Sequence, residues 1–137
     1  MKFAASTIDI CSPFPTTQWG HITQTNELFI YHDPLRARIL YLEEGDTRIL
    51  HISADVLGMV QKIRDRLQAE VRQYFQDPAL HLITSATHTH YANSLKNERY
   101  AEYFFQTLLS GIRHLDIREY QNVRTAYKTV FFDGVGK

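Results

Sequence analysis

Apolar and polar residues alternate along three early stretches of the chain, and apolar residues recur every three or four positions along two later ones. The alternating stretches, Phe3 to Ile10, Arg36 to Glu43 and Thr47 to Ser53, predict β-strands. Ser12-Pro13-Phe14-Pro15 closes the first, because proline fixes φ and has no N–H to give to a ladder. Glu44-Gly45-Asp46 joins the other two as a hairpin turn in which glycine supplies the positive φ. From Val56 the period lengthens: Val56, Val60, Ile63, Leu67, Val71, Tyr74 and Phe75 form one stripe, with charged residues between them, and predict an amphipathic helix that Asp77-Pro78 ends. Leu80 to Ala86 reads as the next strand and Asn97 to about Leu115 as a second helix, with Tyr100, Phe104, Leu108 and Ile112 at four-residue spacing. Val123 to Phe132 reads as a closing strand. The order β-β-β-α-β-α-β defines an α/β (α+β) fold, a mixed sheet with two main helices packed on one face.

Between the first two strands, Pro13 to about Pro34 is long for a structureless connection, and such loops usually serve function. It contains Trp19-Gly20-His21 and Tyr31-His32-Asp33-Pro34. The 137 residues are read as one domain, 1–137, with no internal repeat or linker. Fifteen basic residues balance fifteen acidic ones, so the charge gives no footprint for a nucleic-acid or anionic-membrane partner. The longest apolar runs are far too short for a membrane span. Ser6-Thr7 and Asp9 interrupt the apolar start before it reaches signal-peptide length, which sets the expectation of a cytoplasmic protein. Cys11 is the single cysteine, so neither an intramolecular disulfide nor a Cys-rich zinc ribbon can form.

Candidate chemistry concentrates at Thr84-Ser85-Ala86-Thr87-His88-Thr89-His90-Tyr91. Side chains two apart on a strand share a face, so continuing the strand to this point would set His88 and His90 side by side, aimed at one metal ion or one substrate. Neutral imidazole is the commonest protein metal ligand, and zinc accepts it. Chance pairing is the competing reading. His81 at a strand start, His114 at a helix end and His51 on a strand face need no function. The aromatic cluster Tyr100, Tyr103, Phe104 and Phe105 covers more than one helix face and suggests an oligomer interface.

Four blocks resemble the N-terminal part of the neutral/alkaline, non-lysosomal ceramidase family and its bacterial relatives: Ala5-Ser6-Thr7-Ile8-Asp9-Ile10, His32-Asp33-Pro34-Leu35-Arg36-Ala37-Arg38, Ser53-Ala54-Asp55-Val56-Leu57-Gly58 and Ala86-Thr87-His88-Thr89-His90. They stand in the family's order and cover nearly the whole chain. The resemblance implies the N-terminal portion of a ceramidase catalytic domain, a zinc cofactor and hydrolysis of the linear N-acyl amide of a sphingolipid. It makes His88 the metal ligand and His90 a catalytic group facing the substrate or the metal-bound water. Asp55 is then a candidate to orient an imidazole or, alternatively, to cap the following helix. His32, Asp33, His21 and Tyr91 are candidates to line the substrate pocket.

Departures from the family pattern open other readings. Tyr91-Ala92-Asn93 stands where the family continues with Ser-Gly-Pro, and the family's later metal ligands and catalytic serine have no counterpart before Lys137. The chain therefore reads as truncated relative to the family, with a weak or incomplete zinc site and the remaining groups coming from a C-terminal half or a homo-oligomer. The alternative is a small metal-binding, ligand-binding or interaction protein with a ceramidase-like fold and no hydrolase activity.

Overall fold

The computed structural model of the chain describes residues 1–20, 27–28, 30–119 and 126–131. Its elements run β1 (Lys2–Asp9), β2 (Thr16–Thr17), β3 (Glu27–Leu28), β4 (Arg36–Glu44), β5 (Thr47–Ala54), α1 (Gln61–Tyr74), β6 (His81–Ala86), α2 (Glu98–Arg113) and β7 (Arg118–Glu119). A five-stranded sheet has the order β6-β5-β4-β1-β7, and β2 pairs with β3 apart from it. All pairings in the main sheet are antiparallel except β5 with β6, which are parallel and joined through α1. The mixed sheet with two helices predicted from the periodicity is the architecture found.

Alternation sets which face is covered. Ala37, Ile39 and Tyr41 of β4 and Leu50, Ile52 and Ala54 of β5 are buried in one cluster with Ile63, Leu67 and Val71 of α1 and Tyr100, Phe104, Leu108 and Ile112 of α2. The breadth of the aromatic cluster is satisfied within the chain: Tyr100, Phe104 and Phe105 are buried, and Tyr103 packs edge-on against Phe14. The opposite face carries half-buried Phe3, Leu40, Leu42 and Ile49 in adjoining register, with exposed Ile83 beyond them. Among the described residues, no helix is long and apolar enough to cross a membrane.

The start of the first helix and the closing strand differ from the sequence expectation. The apolar stripe from Val56 predicted a helix that in fact begins at Gln61. Val56 is fully buried as part of the β5–α1 connection, so it keeps the apolar spacing without being helical. The closing strand expected at Val123 to Phe132 is not formed by residues 126–131, and its remaining positions lie outside the described residues. A two-residue strand instead forms at Arg118–Glu119, where it meets Lys2 and Phe3 of β1. The expected hairpin turn is present, with Glu44 paired to Thr47 and Gly45 at φ 55.

Polar groups fasten the element ends. Asn97 caps α2 by accepting from the Tyr100 N–H at 3.0 Å. His114 donates from Nδ1 to the Ser110 carbonyl at 2.7 Å, a local role at the helix end. Glu43 accepts from the Tyr41 hydroxyl and from Lys2, and pairs with Arg48, which also reaches Asp77 in the turn after α1. Those bonds, the Tyr41 hydroxyl first, lower the Glu43 pKa to about 2 from an ordinary 4.5. A depressed carboxylate stabilises the fold above its unfolded pKa and loses that contribution as pH falls through the folded one. Glu43→Gln is accordingly expected to cost about 1.5–3 kcal/mol near pH 7, since hydrogen bonds to a charged group are lost. In urea melts, the gap between wild type and variant should shrink as pH drops from 4.5 towards 2.

Candidate metal centre

Parallel strands β5 and β6 end side by side, with Ala54 opposite Ala86, and the chain leaves both at the same end. Ligands in sheets of this kind gather outside such carboxyl ends. The pairing outlasts the strands by one step: the Thr87 N–H donates to the Ala54 carbonyl at 3.0 Å and the His88 N–H to the Val56 carbonyl at 3.1 Å. His88 then turns into the left-handed region at φ 61. That turn corrects the expectation that His88 and His90 share a strand face, because β6 has already ended at Ala86. The two rings nevertheless meet, edge to face, with centroids 5.2 Å apart and planes at 74°.

Main-chain carbonyls orient both imidazoles. His88 Nδ1 lies 2.7 Å from the Leu57 oxygen, and His90 Nδ1 lies 3.0 Å from the Gly20 oxygen. A carbonyl oxygen only accepts, so each Nδ1 carries the proton and each Nε2 is the lone-pair nitrogen of the neutral ring. Metal-bound histidines characteristically make this bond from the ring nitrogen that does not face the ion. Both side chains are exposed, so the pair opens to solvent.

Gly20 comes close enough to matter sterically. It stands at φ 119, and a Cβ there would fall 2.9 Å from Cγ and Nδ1 of His90. The segment leading to it runs antiparallel to the residues after the histidines: Trp19 N–H donates to Ala92 at 3.1 Å, Ser94 N–H to Thr17 at 2.8 Å, and Gln18 bridges Asn93. Beneath them Tyr31 donates to Asn93 Oδ1 at 2.6 Å and accepts from the Ser12 N–H at 2.9 Å. Asn93 is fully buried and donates to Thr16. Burial pushes the Tyr31 phenol pKa up, which keeps it a neutral donor.

Other residues singled out from the sequence lie elsewhere. Asp55 accepts from the Arg36 N–H at 2.9 Å and from Arg38 at 3.2 Å, so its carboxylate fastens the start of β4 rather than an imidazole or a helix start. His32 and Asp33 contact each other at 2.9 Å and line a cleft of about 430 Å³ with Gln18, Tyr31, Thr89 and Tyr91. Thr89 places that cleft next to the histidine pair, although neither His88 nor His90 lines it. His21 lies outside the described residues. Leu57, Tyr31 and Asn93 were not foreseen, because main-chain acceptors and buried network residues carry no chemical signature of their own; the glycine in Trp19-Gly20-His21 was the one available signal.

The donors fit zinc in kind and fall short in number. Two imidazole Nε2 atoms suit a borderline-soft cation, but no group of three or more His, Cys, Asp or Glu side chains assembles among the described residues.

No protein-family model matches the chain, and no curated protein matches it in sequence. Solved structures do match its fold. Neutral ceramidase from Pseudomonas aeruginosa aligns with a TM-score of 0.68 at 15% identity, over 82% of this chain and 21% of the enzyme. A ceramidase complexed with C2 aligns with a TM-score of 0.59 at 17% identity, over 81% of this chain and 19% of that one. The chain therefore has a ceramidase-like fold and spans about a fifth of the length of the ceramidases it matches.

Proposed function

We propose that His88 and His90 bind a divalent metal, zinc by the chemistry of the donors, and that the chain belongs to a metal-dependent hydrolase of N-acyl amides. The observation that carries the metal reading is the carbonyl acceptor behind each Nδ1, which leaves Nε2 as the lone-pair nitrogen of each of two adjacent, exposed rings. A zinc ion held there by His88 and His90 would supply Lewis acidity towards an amide carbonyl and would make water more acidic. His88 holds the metal. His90 would share it, its ring fixed by Gly20. The adjacent cleft, with Ile30, Leu35 and Tyr91 on its wall, accommodates an apolar acyl group, and Asp33 at its rim suits an amine. The ceramidase-like fold supports an amide substrate by analogy. A zinc ion there would need donors beyond the two histidines, from water, substrate or residues other than those described.

Metal or ligand binding without hydrolysis is the second reading, favoured by the two donors found among the described residues where a catalytic zinc normally has three from protein. Fluorogenic N-acyl amides of increasing chain length separate the two. Zinc-loaded protein is expected to release amine, with activity removed by chelation and restored by zinc. Stoichiometric zinc with no turnover on any chain length would leave the binding reading in its place.

A further inference from the structure

His88 and His90 are anchored to different parts of the fold. The His88 ring donates to Leu57 in the β5–α1 connection, and the N–H groups of Thr87 and His88 go to Ala54 at the end of β5 and to Val56 just beyond it, so it is tied to the sheet. The His90 ring donates instead to Gly20, at the end of the segment 16–20, which is laced to residues 92–94 and sits on the Tyr31–Asn93–Thr16 hydrogen bonds. Contact between Gly20 and the ring is close enough that no side chain fits between them. One imidazole of the pair is therefore set by the sheet and the other by a strap from the long loop.

We infer that residues 16–20 form a strap that positions His90, with Gly20 as the positioning residue, and that docking of the strap and binding of a divalent metal by the pair favour one another. The linkage rests on the metal reading above; the positioning does not. Coupling of this kind is reciprocal: whatever loosens the strap weakens the metal, and the metal tightens the strap by the same factor. Tyr31 stands at the lever, because its hydroxyl joins Asn93 beside the strap to Ser12 and touches neither imidazole.

The test compares imidazole nitrogen NMR spectra of wild type, Gly20→Ala and Tyr31→Phe during zinc titration, with amide hydrogen exchange at Trp19 and Ser94 in the same samples. In metal-free wild type, both rings should carry the proton on Nδ1. Gly20→Ala should shift His90, and not His88, to mixed tautomers and weaken zinc by about 10–100-fold, the usual effect of losing a group that orients a ligand. Tyr31→Phe should speed exchange at Trp19 and Ser94 and weaken zinc; it carries the test if Gly20→Ala does not fold. Zinc should slow the same two amides in wild type. An unchanged His90 tautomer and unchanged zinc affinity in Gly20→Ala would overturn the inference, as would strap exchange indifferent to bound zinc. Wild type that binds no zinc while Gly20→Ala still shifts His90 overturns the metal reading and the linkage, and supports the positioning.

Discussion

Zinc affinity should fall by more than about a hundredfold in His88→Asn, and the protein should still fold. The size of the loss follows from the donor count. Altering a group that merely orients a ligand costs about 10–100-fold, and His88 is one of two imidazoles the described residues bring together. Asparagine is the informative replacement, since it removes the imidazole yet tolerates the left-handed conformation at φ 61. Alanine would add backbone strain to the loss of the donor. The side chain is exposed, so the thermal midpoint of metal-free protein should stay close to wild type. Calorimetric zinc titration of the two proteins measures the first quantity, and thermal melts in chelator measure the second. Equal zinc affinity in both would remove His88 from any metal site.

Phe104→Ala should cost about 3–5 kcal/mol, the largest effect on stability expected of a single truncation here. Phe104 is fully buried on α2, in the core cluster the helix shares with the sheet and α1, with the Tyr100 ring 6.2 Å away. Removing its ring deletes apolar contact and leaves a cavity that neighbouring aromatic rings, themselves packed, cannot fill by small shifts. A domain is stable by only about 5–15 kcal/mol, so the urea midpoint should drop by a large fraction of its wild-type value. Function follows stability in this position: α2 follows directly from the loop of His88 and His90, and its capping residue Asn97 lies seven positions beyond His90. A Phe104→Ala midpoint within error of wild type would contradict the packing described for α2.

The periodicity of the sequence was enough for the strands β1, β4, β5 and β6 and for both helices, because each buries one face and alternation or helical spacing records that face directly. It failed where burial and helicity part company. Val56 is as buried as any helical residue, yet it belongs to a connection whose carbonyl accepts from His88, and nothing in its side chain signals that. The short β7 was equally invisible, since its existence depends on the free edge of β1 and not on its own pattern. At the site, the sequence pointed to the two histidines but not to the reason they meet. Strand alternation would have aligned them as parallel neighbours, whereas the left-handed turn at His88 and the Gly20 carbonyl set them edge to face. Asp55 shows the opposite case: a carboxylate beside a candidate site whose hydrogen bonds go to Arg36 and Arg38.

Titration of nitrogen-labelled wild type with zinc, followed through the imidazole nitrogens, tests the account most directly. It should find His88 and His90 with the proton on Nδ1 before metal is added, and both Nε2 resonances moving together to saturation at one zinc per chain. Protons on Nε2 in the metal-free protein, or Nε2 resonances that zinc leaves in place, would contradict it.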